Sequence, residues 1–74
     1  MTAAPAVVVR ARGGTVTASC PGGRPTLLTW TPAQGYAVDE VERADAKVRF
    51  DGPGGRAEVR IRCAGEQVRP EVRQ

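Results

Sequence analysis

The stretch Arg56-Ala57-Glu58-Val59-Arg60-Ile61-Arg62-Cys63 alternates without a break between charged side chains and small or apolar ones. Successive side chains of a strand point to opposite faces. A period of two therefore writes a β-strand with one face in a core and the other in water. Two further stretches repeat the pattern. Ala46, Val48 and Phe50 alternate with Lys47, Arg49 and Asp51, and Val16, Ala18 and Cys20 alternate with Thr15, Thr17 and Ser19. Cys20 and Cys63 both fall on the apolar phase, and a one-residue slip of register would turn either thiol to the wrong face.

Turn residues punctuate these strands. Gly13-Gly14 separates Val7–Arg12 from Thr15–Cys20 and suits a two-residue hairpin loop with positive φ. Pro21-Gly22-Gly23-Arg24-Pro25 ends the second strand, Thr26–Thr31 forms a third, and Pro32–Gly35 breaks it. Tyr36–Val41 is a weaker fourth. Asp51-Gly52-Pro53-Gly54-Gly55 is a strong turn before Arg56–Cys63, and Ala64-Gly65-Glu66 leads to a short strand at Gln67–Arg69. Pro70 lacks an N–H, which predicts an edge position for that strand.

About seven short strands at near-regular spacing predict an all-β, two-sheet sandwich, with a small five- or six-stranded barrel of the OB type as the alternative. The one helical candidate is a single turn within Val38–Lys47, through Val41 and Ala44. The apolar phase predicts a core of Val7, Val9, Val16, Ala18, Leu28, Trp30, Val38, Val48, Phe50, Val59 and Ile61, with Trp30 as its anchor.

Composition limits what such a core can be. The chain has 74 residues, with one Phe, one Tyr, one Trp, nine Gly and six Pro. A domain this small buries only about 60% of the surface its unfolded chain exposes. Residues 1–5 read as a linker remnant and residues 6–74 as one domain. No stretch approaches the roughly 20 apolar residues of a membrane span. The N-terminal stretch has neither the basic nor the apolar region of a signal peptide, which leaves a domain excised from an extracytoplasmic protein or a cytosolic protein; Thr2–Ala6 reads like the end of a linker, which favours excision.

Cys20 and Cys63 are too far apart for a CxxC redox pair or a local zinc motif. A disulfide between them is the natural staple for a domain with so little core. Closing a loop of that length contributes about 4 kcal/mol in the chain-entropy model. Two buried free thiols in a cytosolic protein are the alternative.

The order Cys20, Trp30, Cys63 on the second, third and sixth strands resembles an immunoglobulin-like domain, which implies packing of Trp30 against an inter-sheet disulfide. Ile61 stands where such domains carry a Tyr, and the chain falls short of their usual ~100 residues. Leu28-Thr29-Trp30-Thr31-Pro32 followed by Tyr36-Ala37-Val38 is similar to fibronectin type III modules, which normally lack the bridge. The runs Gly13–Cys20, Thr31–Val38 and Val59–Cys63 look like small extracytoplasmic domains of actinobacterial envelope proteins. That resemblance implies a location, secreted or cell-envelope, rather than an activity.

Chemistry has few carriers here. The chain has no histidine, so histidine-based nucleophilic catalysis and histidine metal sites are excluded. Ser19 and Lys47 are the only residues of their types. Asp39, Glu40, Glu42 and Asp45 can be read as an acid–base or calcium cluster, or as a solvated acidic connector. Calcium-loop spacing is lacking. The glycine pairs lack the strand–glycine–helix setting of a phosphate cradle. No enzyme, cofactor or metal is expected.

Arginine is the stronger signal. The net charge is +3, from 11 basic and 8 acidic side chains, too mild a balance to argue for nucleic acid. Arg49, Arg56, Arg60 and Arg62 lie on the outward phases of two strands, with Arg10, Arg12, Arg69 and Arg73 available to extend the surface. Such a face is either a polyanion-binding stripe or a solvated sheet with cross-strand Arg–Glu pairs. Tyr36, flanking the 31–35 loop, is the aromatic left for a binding surface.

These features predict a non-enzymatic extracytoplasmic interaction module of a larger envelope or membrane-anchored protein. Its partner would be another protein or a cell-envelope component. Two alternatives are polyanion or carbohydrate binding through Arg49, Arg56, Arg60, Arg62 and Tyr36, and a secreted hydrolase inhibitor that probes with the 31–35 loop.

Overall fold

The alternating stretch at 56–63 lies within strand β6 (Gly55–Ala64), whose inward residues Ala57, Val59 and Ile61 are buried. The computed structural model describes residues 5–74, so most of the expected linker lies outside the described residues. β6 pairs with β5 (Lys47–Gly52) on one side and β7 (Gln67–Arg73) on the other, and β5 pairs with β4 (Ala37–Glu42). The four strands form an antiparallel sheet in sequence order. A second antiparallel sheet joins β1 (Val7–Ala11), β2 (Gly14–Ser19) and β3 (Thr26–Pro32), also in sequence order. The fold is thus all-β, with seven strands in two sheets rather than a closed barrel. Each sheet is a meander, and β3 stays beside β2 instead of crossing to the sheet of β6.

The apolar faces of both sheets make one core: Val9, Val16, Ala18, Cys20 and Leu27 from the first side, Ala46, Val48, Phe50, Val59 and Ile61 from the other. Phe50 is the largest side chain fully buried, and it takes the central position expected for Trp30. Trp30 is half-buried at the rim, with the Arg43 guanidinium 5.2 Å from its ring centre. Among the other expected core residues, Val38 is half-buried and Val7 is 36% exposed.

Leu28 is the clearest correction. It is 47% exposed, whereas Leu27 is 7% exposed. The cause is a β-bulge: Thr17 faces Thr29, but Ala18 faces Leu27, so Leu28 is the extra residue. A bulge inserts one residue into a strand and inverts the phase beyond it.

The other differences are at turns. The first hairpin pairs Ala11 with Gly14, so its loop is Arg12-Gly13, one residue earlier than expected, and of the two glycines only Gly14 has positive φ. No α-helix occurs among the described residues; the single helical piece is a 3-10 turn at Pro21–Gly23. The helical candidate at 38–47 is instead β4 and a tight turn that ends at Ala46 with φ +50. The left-handed region costs an L-residue roughly 1–2 kcal/mol. Ala46 is fully buried there, and its carbonyl accepts the Ile61 N–H at 2.9 Å. β7 runs through Pro70 to Arg73, longer than expected, and is an edge strand as Pro70 requires.

The two sheets are tied at both ends. At one end the Cys20–Cys63 disulfide spans them with a Cα–Cα distance of 5.9 Å, and the Gly22 N–H donates to Glu66 Oε2 at 3.3 Å beside it. At the other, the chain crosses from β3 to β4 through residues 33–36. The Ala33 N–H donates to the Gly13 carbonyl at 2.8 Å, and Arg12 Nη1 donates to the Gly54 carbonyl at 3.2 Å. Tyr36 packs into this second end over glycines. A Cβ on Gly52 would stand 2.5 Å from Tyr36 Cδ2 and 2.6 Å from its Cγ.

Two stability predictions follow from these ties. Cys20→Ala or Cys63→Ala should cost about 2–5 kcal/mol in denaturant titration, comparable to the stability of a whole small domain; a change below about 1 kcal/mol would show the apolar core sufficing alone. Gly52→Ala should cost about 1–3 kcal/mol by overpacking against the Tyr36 ring. The same substitution in a Tyr36→Ala background should cost less, and equal costs in the two backgrounds would refute the clash.

Candidate functional site

Outward residues of β4 to β7 line up in cross-strand rows because the registers are in phase. One row runs Glu42, Lys47, Arg60, Glu71; the next runs Glu40, Arg49, Glu58, Arg73. Directly opposed residues are near enough for their side chains to interact, so this register decides which charges meet.

Most of them meet opposites. Lys47 Nζ lies 3.5 Å from Glu40 Oε1, 3.5 Å from Glu42 Oε2 and 4.0 Å from Glu58 Oε1. Arg49 lies 3.7 Å from Asp39 Oδ2, 3.7 Å from Glu40 Oε1 and 3.6 Å from Glu58 Oε1. The side chains of Lys47 and Arg49 are largely shielded, which weakens screening of this cluster relative to an exposed pair. The acidic run at 39–42 therefore supplies partners for the cations of β5. A bulge between Val38 and Glu40 carries Asp39 within reach of Arg49.

Arg62 and Glu71 form the shortest ion pair, Nε to Oε1 at 2.9 Å, on the exposed edge between β6 and β7. That hydrogen bond, more than the surrounding positive charge, holds the Glu71 carboxyl below its ordinary titration range. Exposed pairs of this kind contribute little to stability.

The structure thus brings Arg49, Arg56, Arg60 and Arg62 onto one face, but not as an uninterrupted basic stripe. Arg49 and Arg62 are engaged by carboxylates. Arg60 stands between Lys47 and Glu71 in register, and its Nε is buried with no hydrogen-bond partner. Tyr36 is not on this face. Its ring packs against Gly52, which shares the inward phase of Val48 and Phe50. The 31–35 loop is tight: the Tyr36 N–H donates back to the Ala33 carbonyl at 2.9 Å, leaving Gln34 and Gly35 exposed.

The sequence offered Arg73 as an extension of the arginine surface and Glu58 and Glu71 as residues that interrupt it, but not their places: Glu71 and Arg73 lie on the face because β7 continues past Pro70, and Glu58 lies between Arg49 and Arg73 because of the pairing register. The period-two phase of Arg69, Glu71 and Arg73 was the available signal. Around Arg49, Arg56, Glu58, Arg73 and Gln74 the surface forms a shallow hollow of about 380 Å³. A second hollow, about 480 Å³, lies between the edges of β1 and β7 and is lined by Pro5, Val7, Gln67, Val68 and Arg69. No protein-family model, curated protein or solved structure matches this chain.

The Arg62–Glu71 pair makes a pH prediction. A carboxyl with a depressed folded pKa contributes stability above its unfolded pKa and loses it as pH falls through the folded value. Arg62→Gln should raise the Glu71 midpoint toward the ordinary range in a carboxyl-carbon NMR titration. An unmoved midpoint would contradict the assignment.

Proposed function

We propose that this chain is a non-enzymatic extracytoplasmic module, one part of a larger envelope or membrane-anchored protein, which binds another protein or an envelope component. The observation that carries the reading is the Cys20–Cys63 bridge. It joins the two sheets through a fully buried sulfur on one side and a half-buried one on the other. Structural disulfides form and persist in oxidising compartments and are rare in the cytosol.

The reactive side chains argue for binding rather than catalysis. Ser19 is buried, both cysteine sulfurs are consumed in the bridge, Lys47 is ringed by carboxylates, and no histidine is present to activate a nucleophile. A binding edge is available where β1 and β7 lie beside each other. Both are edge strands; Val7 lines the larger hollow, and Val8 and Val72 are exposed elsewhere on the same two strands. Unpaired strand edges with apolar side chains can take an added strand from a partner.

Thiol labelling of the protein in unbroken source cells tests the compartment. Cys20 and Cys63 should resist maleimide until reductant is added, whereas prompt labelling of both would overturn the reading. A photo-crosslinking residue at Val8 or Val72 tests the edge: a discrete adduct is expected, and a chain that stays uncoupled at both positions contradicts it.

A further inference from the structure

Four cations on the outer face of the four-stranded sheet, Arg56, Arg60, Arg69 and Arg73, carry no ion pair among the described residues, and two of them, Arg56 and Arg73, come together at one hollow. Arg56 stands opposite Asp51 in the ladder and Arg73 opposite Glu58. Among the described residues, neither guanidinium has a carboxylate within ion-pair distance. Both side chains are exposed.

Their placement is convergent. Arg49 on β5 and Arg73 on β7 flank Glu58 from the two neighbouring strands, and Arg56 precedes Glu58 by two residues on the same face of β6. Arg56 is therefore the diagonal neighbour of both other arginines. Diagonal neighbours lie about 7–8 Å apart at the backbone, within reach of long side chains. The three guanidinium groups, with Glu58 and Gln74, line the 380 Å³ hollow. Glu58 is the one acidic side chain among the lining residues, and its Oε1 is already shared between Lys47 and Arg49. With Arg49 engaged by Asp39, Glu40 and Glu58, the positive charge of the lining that has no ion pair rests on Arg56 and Arg73.

We propose that this hollow is a phosphate-binding site, with Arg56 and Arg73 as the binding forks and Arg49 as a fixed third donor. Guanidinium groups match tetrahedral oxyanions because they donate parallel N–H bonds in a planar fork. Arg49 is held in place by Asp39, Glu40 and Glu58, so it is oriented before the ligand arrives. Arg56 and Arg73 are not, and they close on the anion. The hollow is shallow and open, which suits a phosphate carried on an extended polymer better than an enclosed small metabolite. The proposal deepens the reading of the chain as a binding module, but it does not depend on the compartment. Thiol labelling in cells fails or succeeds independently of it.

Isothermal titration of the full chain tests the site with three probes: inorganic phosphate, linear polyphosphate and polyglutamate. Polyphosphate should bind, with an affinity that falls as salt rises at a log–log slope of roughly −1.5, for two phosphates neutralised. Phosphate alone should bind more weakly at the same residues, read as NMR shifts of the Arg56 and Arg73 side chains. R56Q/R73Q should lose polyphosphate affinity at least tenfold at low salt. R56K/R73K keeps the charge without the fork and should fall between. R10Q/R24Q removes the same charge away from the hollow and should change affinity less than twofold. Wild-type protein that ignores polyphosphate, equal losses in R56Q/R73Q and R10Q/R24Q, or polyglutamate binding as tight as polyphosphate binding would each overturn the site.

Discussion

The strand ladders of this molecule close within each sheet: three strands in one, four in the other, each a meander of consecutive neighbours. What makes one domain of them is the apolar interface and a single covalent link, Cys20 to Cys63. The link sits at the end opposite the 33–36 crossover, so the sheets are joined by chain at one end and by sulfur at the other. Without the bridge the two meanders would be joined by that short segment, by a few hydrogen bonds involving exposed residues and by a core with one fully buried aromatic, Phe50. A core of this size leaves a small margin over conformational entropy. Shortening the loops available to the unfolded chain is an effective way to widen it.

The crossover end is closed differently. Tyr36 fills it, and glycine is needed where the ring passes. Side chains at Gly52 or Gly54 would collide with the Tyr36 ring or its hydroxyl, and one at Gly13 would stand 2.6 Å from Phe50 Cβ. These glycines do more than punctuate turns: they let aromatic rings lie against backbone. A chain with three aromatic residues uses Phe50 and Tyr36 in the interior or at its rim, and Trp30 at the edge under Arg43.

The outer face of the larger sheet shows how an arginine-rich sequence stays folded without an uncompensated field. Lys47 and Arg49, the most shielded cations on the face, gather the carboxylates of β4 and β6, and Arg62 takes Glu71. The positive charge without an ion pair rests on Arg56, Arg60, Arg69 and Arg73, and of these Arg56 and Arg73 meet at the exposed hollow. Location there matters for binding, because exposed and unpaired guanidinium groups interact with an anion without first giving up an internal partner.

Much of this architecture was legible along the chain, because alternation and turn chemistry are local. The phases of 16–20, 46–51 and 56–63 identified buried Val, Ala, Phe and Ile positions and placed Cys20 and Cys63 on inward phases of two strands. Pro70 marked an edge through its missing N–H. The exchange of Leu28 for Leu27 was hidden, since a bulge is visible only when the partner strand is in place and one residue is found without an opposite. Ala46 in the left-handed region was hidden for a similar reason: its conformation is held by a turn whose carbonyl bonds to β6, far along the chain. The arginine face shows the same division. Sequence alone determined that Arg49, Arg56, Arg60 and Arg62 point away from the core. Only the tertiary register decided which of them meet carboxylates, because ion pairs form across strands and depend on which residue stands opposite which.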